Sequence, residues 1–257
     1  MKVSLSTGWK FDLFFSVKQS FEIAKKLNFD GVELVINSEY VFHKTNYIKK
    51  LSAKYGIPVL SVHCPLFAMP FLWPCKYWLN KTFRIADILG AKLVVIHPPY
   101  LKTYGTKSGI KLLDYLTKKQ KEFPNIKITL ENFKRSRKNK KEYTNHLEEL
   151  HELLEKYKFN FTLDTTHLGY NKLDPIKSYK LFKKRTTNIH FSDWANSHQH
   201  LTPGKGILPL VQFLQQLKND DYKGNLTLEL IFQPLVRYKK VYREAKKSMN
   251  FIKHNYE

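Results

Sequence analysis

Short apolar runs alternate with longer amphipathic stretches along the whole 257-residue chain. The runs at 3–6, 31–36, 59–63, 93–97, 127–131, 161–164, 187–191 and 225–230 have the length and composition of buried β-strands. Between them, at 17–27, 79–89, 112–123, 147–157, 176–184 and 208–217, apolar residues recur at three- and four-residue intervals. That spacing marks one buried face of a helix. Strand and helix in unbroken alternation predict a parallel sheet, and eight such units can close into a barrel. No low-complexity linker interrupts the pattern, so residues 1–257 read as one α/β domain, a (β/α)8 barrel, for which ~250 residues is usual.

Composition narrows the class. Hydrophobic residues make up 42% of the chain, which suffices for a packed core. No apolar run approaches the ~18 residues a bilayer demands, so no membrane partner is expected. The first fifteen residues hold no sustained apolar segment of the kind a secretory signal requires. Two cysteines, Cys64 and Cys75, do not make a disulfide framework, and a cytoplasmic protein is expected.

Charge changes the picture more. With 44 Lys and Arg against 22 Asp and Glu, the formal net charge is +22. One reading is a lysine-rich, solvated surface; the other is a polyanionic partner attracted by the field. Two basic segments sit where active-face loops belong. Lys134, Arg135, Arg137 and Lys138 follow the fifth strand, and Arg237, Lys239 and Lys240, with tyrosines between them, follow the eighth. One sugar phosphate needs one or two cations, and this many suit a polymer backbone better, with a solvated loop as the plain alternative. The third loop, 66–73, is unusually apolar. It fits a wedge into a duplex, a cover over a small pocket or a partner contact.

Acids and imidazoles recur at the ends of the apolar runs: His63, His97, Glu131, Asp164 with His167, His190, His198 with His200, and Glu229. Loops at the C-terminal end of a barrel converge on one pocket, so reactive groups there read as site residues. His, Asp and Glu together form a donor set for zinc-like divalent ions. In LDTTH, Asp164 and His167 are either ligands or a helix cap with an incidental histidine. In HQH, alternate residues of an extended segment point the same way, so His198 and His200 either chelate one ion or belong to a polar surface loop. Gly204 and Gly206 allow a tight turn or a close approach. Glu131 and Glu229 end the buried runs ITLE and LTLE, where a carboxylate is costly unless cations or donors satisfy it. A strand-end histidine such as His63 or His97 also occurs simply as a satisfied core residue.

On these motifs the chain resembles the xylose isomerase-like barrel superfamily, from GVEL near the second strand to LTLEL at the eighth. That superfamily holds endonuclease-IV-type abasic-site endonucleases and sugar or sugar-phosphate isomerases and epimerases. The endonuclease branch implies two or three zinc ions. His63, His97 and Glu131 hold the first, and Glu131 bridges to a second held by Asp164, His190 and Glu229. His167, His198 and His200 hold a third, with His198 standing where that branch has Asp. The isomerase branch implies one divalent ion, such as manganese or magnesium, on Glu131, Asp164, His190 and Glu229. DGVEL, LTLEL and HLTPGKG look more like this second branch, and the Arg-rich segment of the first is absent after the second strand.

The first expectation is therefore a zinc-dependent phosphodiesterase that cleaves DNA at abasic sites, with the basic segments on the flanking phosphates. The alternative is a metal-dependent sugar or sugar-phosphate isomerase or epimerase. There Glu131 and Glu229 are acid–base catalysts moving a proton through an enediol.

Overall fold

In a computed structural model of the protein, residues 1–9, 16–36, 44–65, 75–97, 107–133, 144–196, 198–233 and 236–256 are described. In chain order the elements are β1 (Lys2–Ser6), α1 (Ser16–Lys26), β2 (Gly31–Val35), α2 (Thr45–Tyr55), β3 (Val59–His63), α3 (Cys75–Leu89), β4 (Leu93–Ile96), α4 (Lys107–Glu122), β5 (Lys127–Glu131), α5 (Thr144–Tyr157) and β6 (Asn160–Asp164). They continue with α6 (Thr165–Tyr170), α7 (Pro175–Phe182), β7 (Thr186–Phe191), β8 (Asp193–Ala195), β9 (His198–Leu201), α8 (Leu210–Asn219), β10 (Asn225–Leu228) and α9 (Tyr238–Tyr256).

Eight parallel strands close in the order β1-β10-β7-β6-β5-β4-β3-β2, and β8 and β9 pair separately as an antiparallel hairpin. This is the (β/α)8 barrel the alternation predicts. Helices α2, α6 and α9 and the hairpin go beyond the sequence reading. Helix α2 buries only Ile48 and Leu51, too little for a clear stripe. The buried face of α9 includes Glu244, Ala245 and Ser248, which blur its periodicity. Residues 238–243, read as part of a loop, are the first turns of this helix.

Alternation along each strand sorts the side chains into two layers. Val62, Leu130, Leu163, Ile189 and Leu228 are buried and apolar, on the side that packs against the helices. There Phe161 of β6 stacks on Phe182 of α7 with ring centroids 4.0 Å apart, and Phe191 of β7 meets Phe251 of α9 at 6.4 Å. The intervening residues Ser4, Glu33, Ser61, Thr129, Thr162, Asn188 and Thr227 are fully buried and polar. They bond to one another between neighbouring strands: Ser4 Oγ lies 2.8 Å from Thr227 Oγ1, and Thr129 Oγ1 lies 2.5 Å from Thr162 Oγ1. One step further along these inward positions come His63, Glu131, Asp164, His190 and Glu229. The barrel interior is thus a polar column with the candidate ligands at its upper end.

The helix layer holds this column in place, so a void in it should be costly. Phe182→Ala removes a ring that stacks on Phe161 and lies tilted against His151. The variant should lose about 3–5 kcal/mol of stability, the usual range for deleting a buried phenylalanine. Urea unfolding measures this; a loss below about 1 kcal/mol would mean the Phe161–Phe182 contact is not part of the core.

Candidate metal centre

Strand ends bring the predicted residues together. His63, Glu131 and Asp164 are the last residues of β3, β5 and β6, and His190 is the last but one of β7. His97 and Glu229 directly follow β4 and β10. Among the described residues three groups can each hold a metal ion: His63, His97 and Glu131; Asp164, His167 and His200; and Glu131, Asp164, His190 and Glu229. Each residue offers one ligand atom, all within 4.8 Å of the others in its group.

Glu131 joins two of these groups through different oxygens. Its Oε2 lies 3.1 Å from His63 Nε2 and 3.0 Å from His97 Nε2. Its Oε1 lies 3.2 Å from His190 Nδ1 and 3.3 Å from His167 Nδ1. His190 Nδ1 is also 3.0 Å from Glu229 Oε2 and 3.8 Å from Asp164 Oδ2. The ring orientations are fixed from behind. His63 Nδ1 donates to the Cys64 carbonyl at 2.6 Å, and His167 Nδ1 donates to the Asn132 carbonyl at 2.9 Å. A carbonyl only accepts, so in each ring Nδ1 carries a proton.

LDTTH forms a helix cap, and its Asp164 and His167 also belong to groups that could hold a metal ion. Asp164 Oδ1 accepts from His167 N at 2.6 Å and caps α6, while Oδ2 enters the ligand group. Asn132, just beyond β5, binds the Asp164 backbone on both sides, accepting from its N at 2.7 Å and donating to its O at 3.0 Å. This ties the ends of β5 and β6 together.

The cation test turns on what these atoms lack. Glu131 Oε1, Asp164 Oδ2, His190 Nδ1 and Glu229 Oε2 are buried, and none has a hydrogen-bond partner. They are one atom from each member of the four-residue group. A buried carboxylate oxygen without a donor is strongly disfavoured, and three of them around one ring nitrogen fit a divalent cation in their midst. The donor set of carboxylates with one imidazole suits zinc, manganese or magnesium.

Residues 21–253 match the family described as the xylose isomerase-like TIM barrel. The chain belongs to it. An uncharacterised protein of Mycobacterium tuberculosis is 27% identical over 257 residues, covering 90% of this chain and 89% of that relative. Among solved structures, a D-allulose 3-epimerase from Methylomonas sp. is similar with a TM-score of 0.78 at 18% identity, covering 99% of this chain and 98% of that one. A D-psicose 3-epimerase from Clostridium cellulolyticum H10 has a TM-score of 0.74 at 16% identity, covering 100% of each chain. At these identities the structural likeness speaks for the fold alone.

In this xylose isomerase-like barrel the HQH segment splits. His200 is buried against His167 and Glu229, whereas His198 is exposed at the start of β9 and enters none of the three groups. Alternation fails because the β8–β9 register is irregular and His200 has φ +53. The following glycines divide the two expected tasks. Gly204 turns the chain at φ +85, and a Cβ at Gly206 would overlap the Asp193 carboxylate. Asp193 accepts from the backbone N–H groups of Trp194, Gly204, Gly206 and Leu208 at 2.9–3.1 Å and so gathers the loop that carries His200.

Other expected contacts are placed differently. Lys134, Arg135, Arg137 and Lys138, and the apolar segment 66–73, lie outside the described residues. Arg237, Lys239 and Lys240 are exposed around the start of α9. Tyr238 and Tyr242 are half-buried, stack on each other at 6.3 Å and pack against the core. Glu33, Asn132 and Asp193 support the site without having been read as site residues. The signal for Glu33 was present as the one carboxylate within the apolar run of β2.

Burial and mutual charge set the protonation of the metal-free centre. Burial, only partly relieved by His167, pushes Asp164 up to about 7. Burial opposes the charge on His167, but Asp164 and Glu131 carry it up to about 9. The same contest, won by Glu33 and Glu131, raises His190 well above its ordinary value. Burial prevails at His200, which falls to about 4. Glu131 is held well below the usual carboxylate range by His190 and His97 despite its burial.

Raised values at His190, His167 and Asp164 mean that protons occupy the centre near neutrality, and a cation must displace them. Zinc binding should therefore release protons, and apparent affinity should fall as pH drops from 8 to 6. Calorimetry in buffers of different ionisation enthalpy measures both. Proton-neutral, pH-independent binding would place the ion elsewhere.

Proposed function

We propose that this chain is a metal-dependent epimerase or isomerase of a sugar or sugar phosphate, with Glu131 and Glu229 as its acid–base pair. The observation that carries the reading is the four-residue group whose ligand atoms are buried and unpartnered. Glu131 and Glu229 end β5 and follow β10, three places apart in an eight-strand ring, and both face His190 Nδ1. The family's barrel and the sugar epimerases among its structural neighbours support the same reading.

Glu131, Asp164, His190 and Glu229 would hold the cation. When bound, it supplies Lewis-acid polarisation of the substrate's carbonyl and hydroxyl oxygens. One glutamate takes the proton from the carbon beside the carbonyl, giving an enediolate, and the other delivers a proton to carbon; where the carbonyl moves, the hydroxyl proton passes between the two neighbouring oxygens. Delivery to the opposite face of that carbon inverts it; delivery to the neighbouring carbon moves the carbonyl. His63 and His97 orient Glu131 through its Oε2. Phe133 packs against His97 and His167, with ring centroids at 4.5 and 5.0 Å, and gives that side of the centre an apolar wall. A phosphate on the substrate would find Arg237, Lys239 and Lys240 beside the N-terminus of α9.

A second reading keeps one observation in its favour. The groups His63–His97–Glu131 and Asp164–His167–His200 are further ligand sets that a one-ion enzyme does not need. Two or three zinc ions there would suit phosphodiester hydrolysis at an abasic site, with the basic segments on the DNA backbone.

Solvent-exchange chemistry separates the two. In D2O the metal-loaded enzyme should wash deuterium into the carbon beside the carbonyl of at least one member of a ketose and ketose-phosphate panel. It should leave an abasic duplex intact and bind one ion per chain. Nicking of the duplex with two or three tightly bound ions, and no exchange into any sugar, would move the assignment to the hydrolase.

The glutamates provide a second check. Glu131→Gln and Glu229→Gln should each lower turnover by roughly 10²–10⁴-fold, as removal of a general acid or base does, with the fold retained. Turnover within a few-fold of the unmodified enzyme would remove that glutamate from the proton transfer.

A further inference from the structure

Glu33 lies in the middle of β2, is fully buried, and contributes no atom to the three ligand groups. Its Oε2 accepts from Ser61 Oγ at 2.7 Å and Asn188 Nδ2 at 3.3 Å. Asn188 Oδ1 accepts in turn from Thr227 Oγ1 at 2.9 Å, and Thr227 meets Ser4. Side chains from β1, β3, β7 and β10 thus hold this carboxylate on one side. Its other oxygen, Oε1, has no hydrogen-bond partner and faces His190 Nε2 at 3.0 Å, itself without one.

An ionised carboxylate can only accept, and an unpaired one in a dry interior is strongly disfavoured. The complement at Oε1 is a proton on His190 Nε2. With the proton there, neutral His190 presents a bare Nδ1 toward Glu131, Asp164 and Glu229, which lie 3.2, 3.8 and 3.0 Å away. The opposite tautomer would set a lone pair against Glu33 and leave Nδ1 unable to ligate.

We infer that Glu33 is the positioning residue of the metal centre, selecting the His190 tautomer and ring direction that make Nδ1 a ligand. The inference rests on reading the four-residue group as a cation site. The polar chain behind Glu33 makes it a fixed reference: Ser61 and Asn188 prevent the carboxylate from turning away from His190. Carboxylate partners of this kind fix the orientation and raise the basicity of ligating histidines.

The test uses Co²⁺, whose visible absorption reports its ligands, on the full chain and on three variants. Glu33→Ala removes charge and acceptor. Glu33→Gln keeps the shape and an acceptor oxygen and loses only the charge, so it carries the test should the alanine variant fail to fold. Thr129→Val breaks the Thr129–Thr162 pair in the same buried layer without touching His190. Glu33→Ala should weaken Co²⁺ binding by roughly 10–100-fold, the usual effect of losing such a partner. Glu33→Gln should weaken it less. Thr129→Val should lower thermal stability and leave affinity within twofold of the unmodified chain. Nitrogen-15 spectra of histidine-labelled protein, Zn²⁺-loaded and, at a pH high enough to leave His190 neutral, metal-free, should place the His190 proton on Nε2, and Glu33→Gln should disturb that preference in the metal-free form.

Two outcomes overturn the inference in distinguishable ways. If the unmodified chain binds no Co²⁺, the cation site falls, and Glu33 with it. If the unmodified chain binds Co²⁺ but both Glu33 variants match it within twofold and keep the His190 proton on Nε2, the positioning role alone falls.

Discussion

Everything in this barrel is arranged around carboxylates removed from water. Glu33, Glu131, Asp164 and Glu229 are all buried, among histidines that share their space. The cost of stripping a carboxylate of solvent is several kcal/mol even after the protein relaxes, so such a cluster persists only with compensating charge. Donors satisfy part of it: Ser61 and Asn188 at Glu33, the α6 N-terminus at Asp164, His63 and His97 at Glu131. Beyond Glu33 Oε1 and His190 Nε2, which face each other, what is left unpaired in this cluster is one atom from each of Glu131, Asp164, His190 and Glu229. The fold brings these remainders together, and a divalent cation is the simplest complement to all of them.

The rest of the structure serves to keep that arrangement rigid. Strand alternation turns hydroxyls and amides inward below the ligands and aliphatic side chains outward against the helices. The interior polar column therefore differs from a barrel filled with branched aliphatics. Asn132 joins the ends of β5 and β6, and Asp193 gathers the glycine-bearing loop that delivers His200. Glu244, reaching Thr202 and Lys205 from α9, fixes the same loop from the opposite side.

The barrel was legible in the sequence because each strand is a short apolar run and most helices have a regular stripe. The acid-bearing strand ends were legible for a related reason. In ITLE and LTLE the acid breaks an otherwise apolar run at its C-terminal end, where a barrel opens onto its site. Glu33 escaped because it interrupts its run in the middle, and its partners Ser61 and Asn188 lie on other strands. His198 went the other way: residue spacing suggested a chelating pair, but a positive φ at His200 and an irregular hairpin register separate the two rings. Such backbone detail has no sequence periodicity to announce it. The step from site to reaction is the least legible, since one donor set suits proton transfer and phosphodiester hydrolysis alike.

The most direct test of the central claim is anomalous X-ray diffraction from crystals of the zinc-loaded protein at the zinc edge. The account predicts a peak bounded by Glu131 Oε1, Asp164 Oδ2, His190 Nδ1 and Glu229 Oε2, with ligand distances of about 2.0–2.2 Å. A fully folded protein with no peak there, or with zinc confined to surface histidines such as His198, would contradict it.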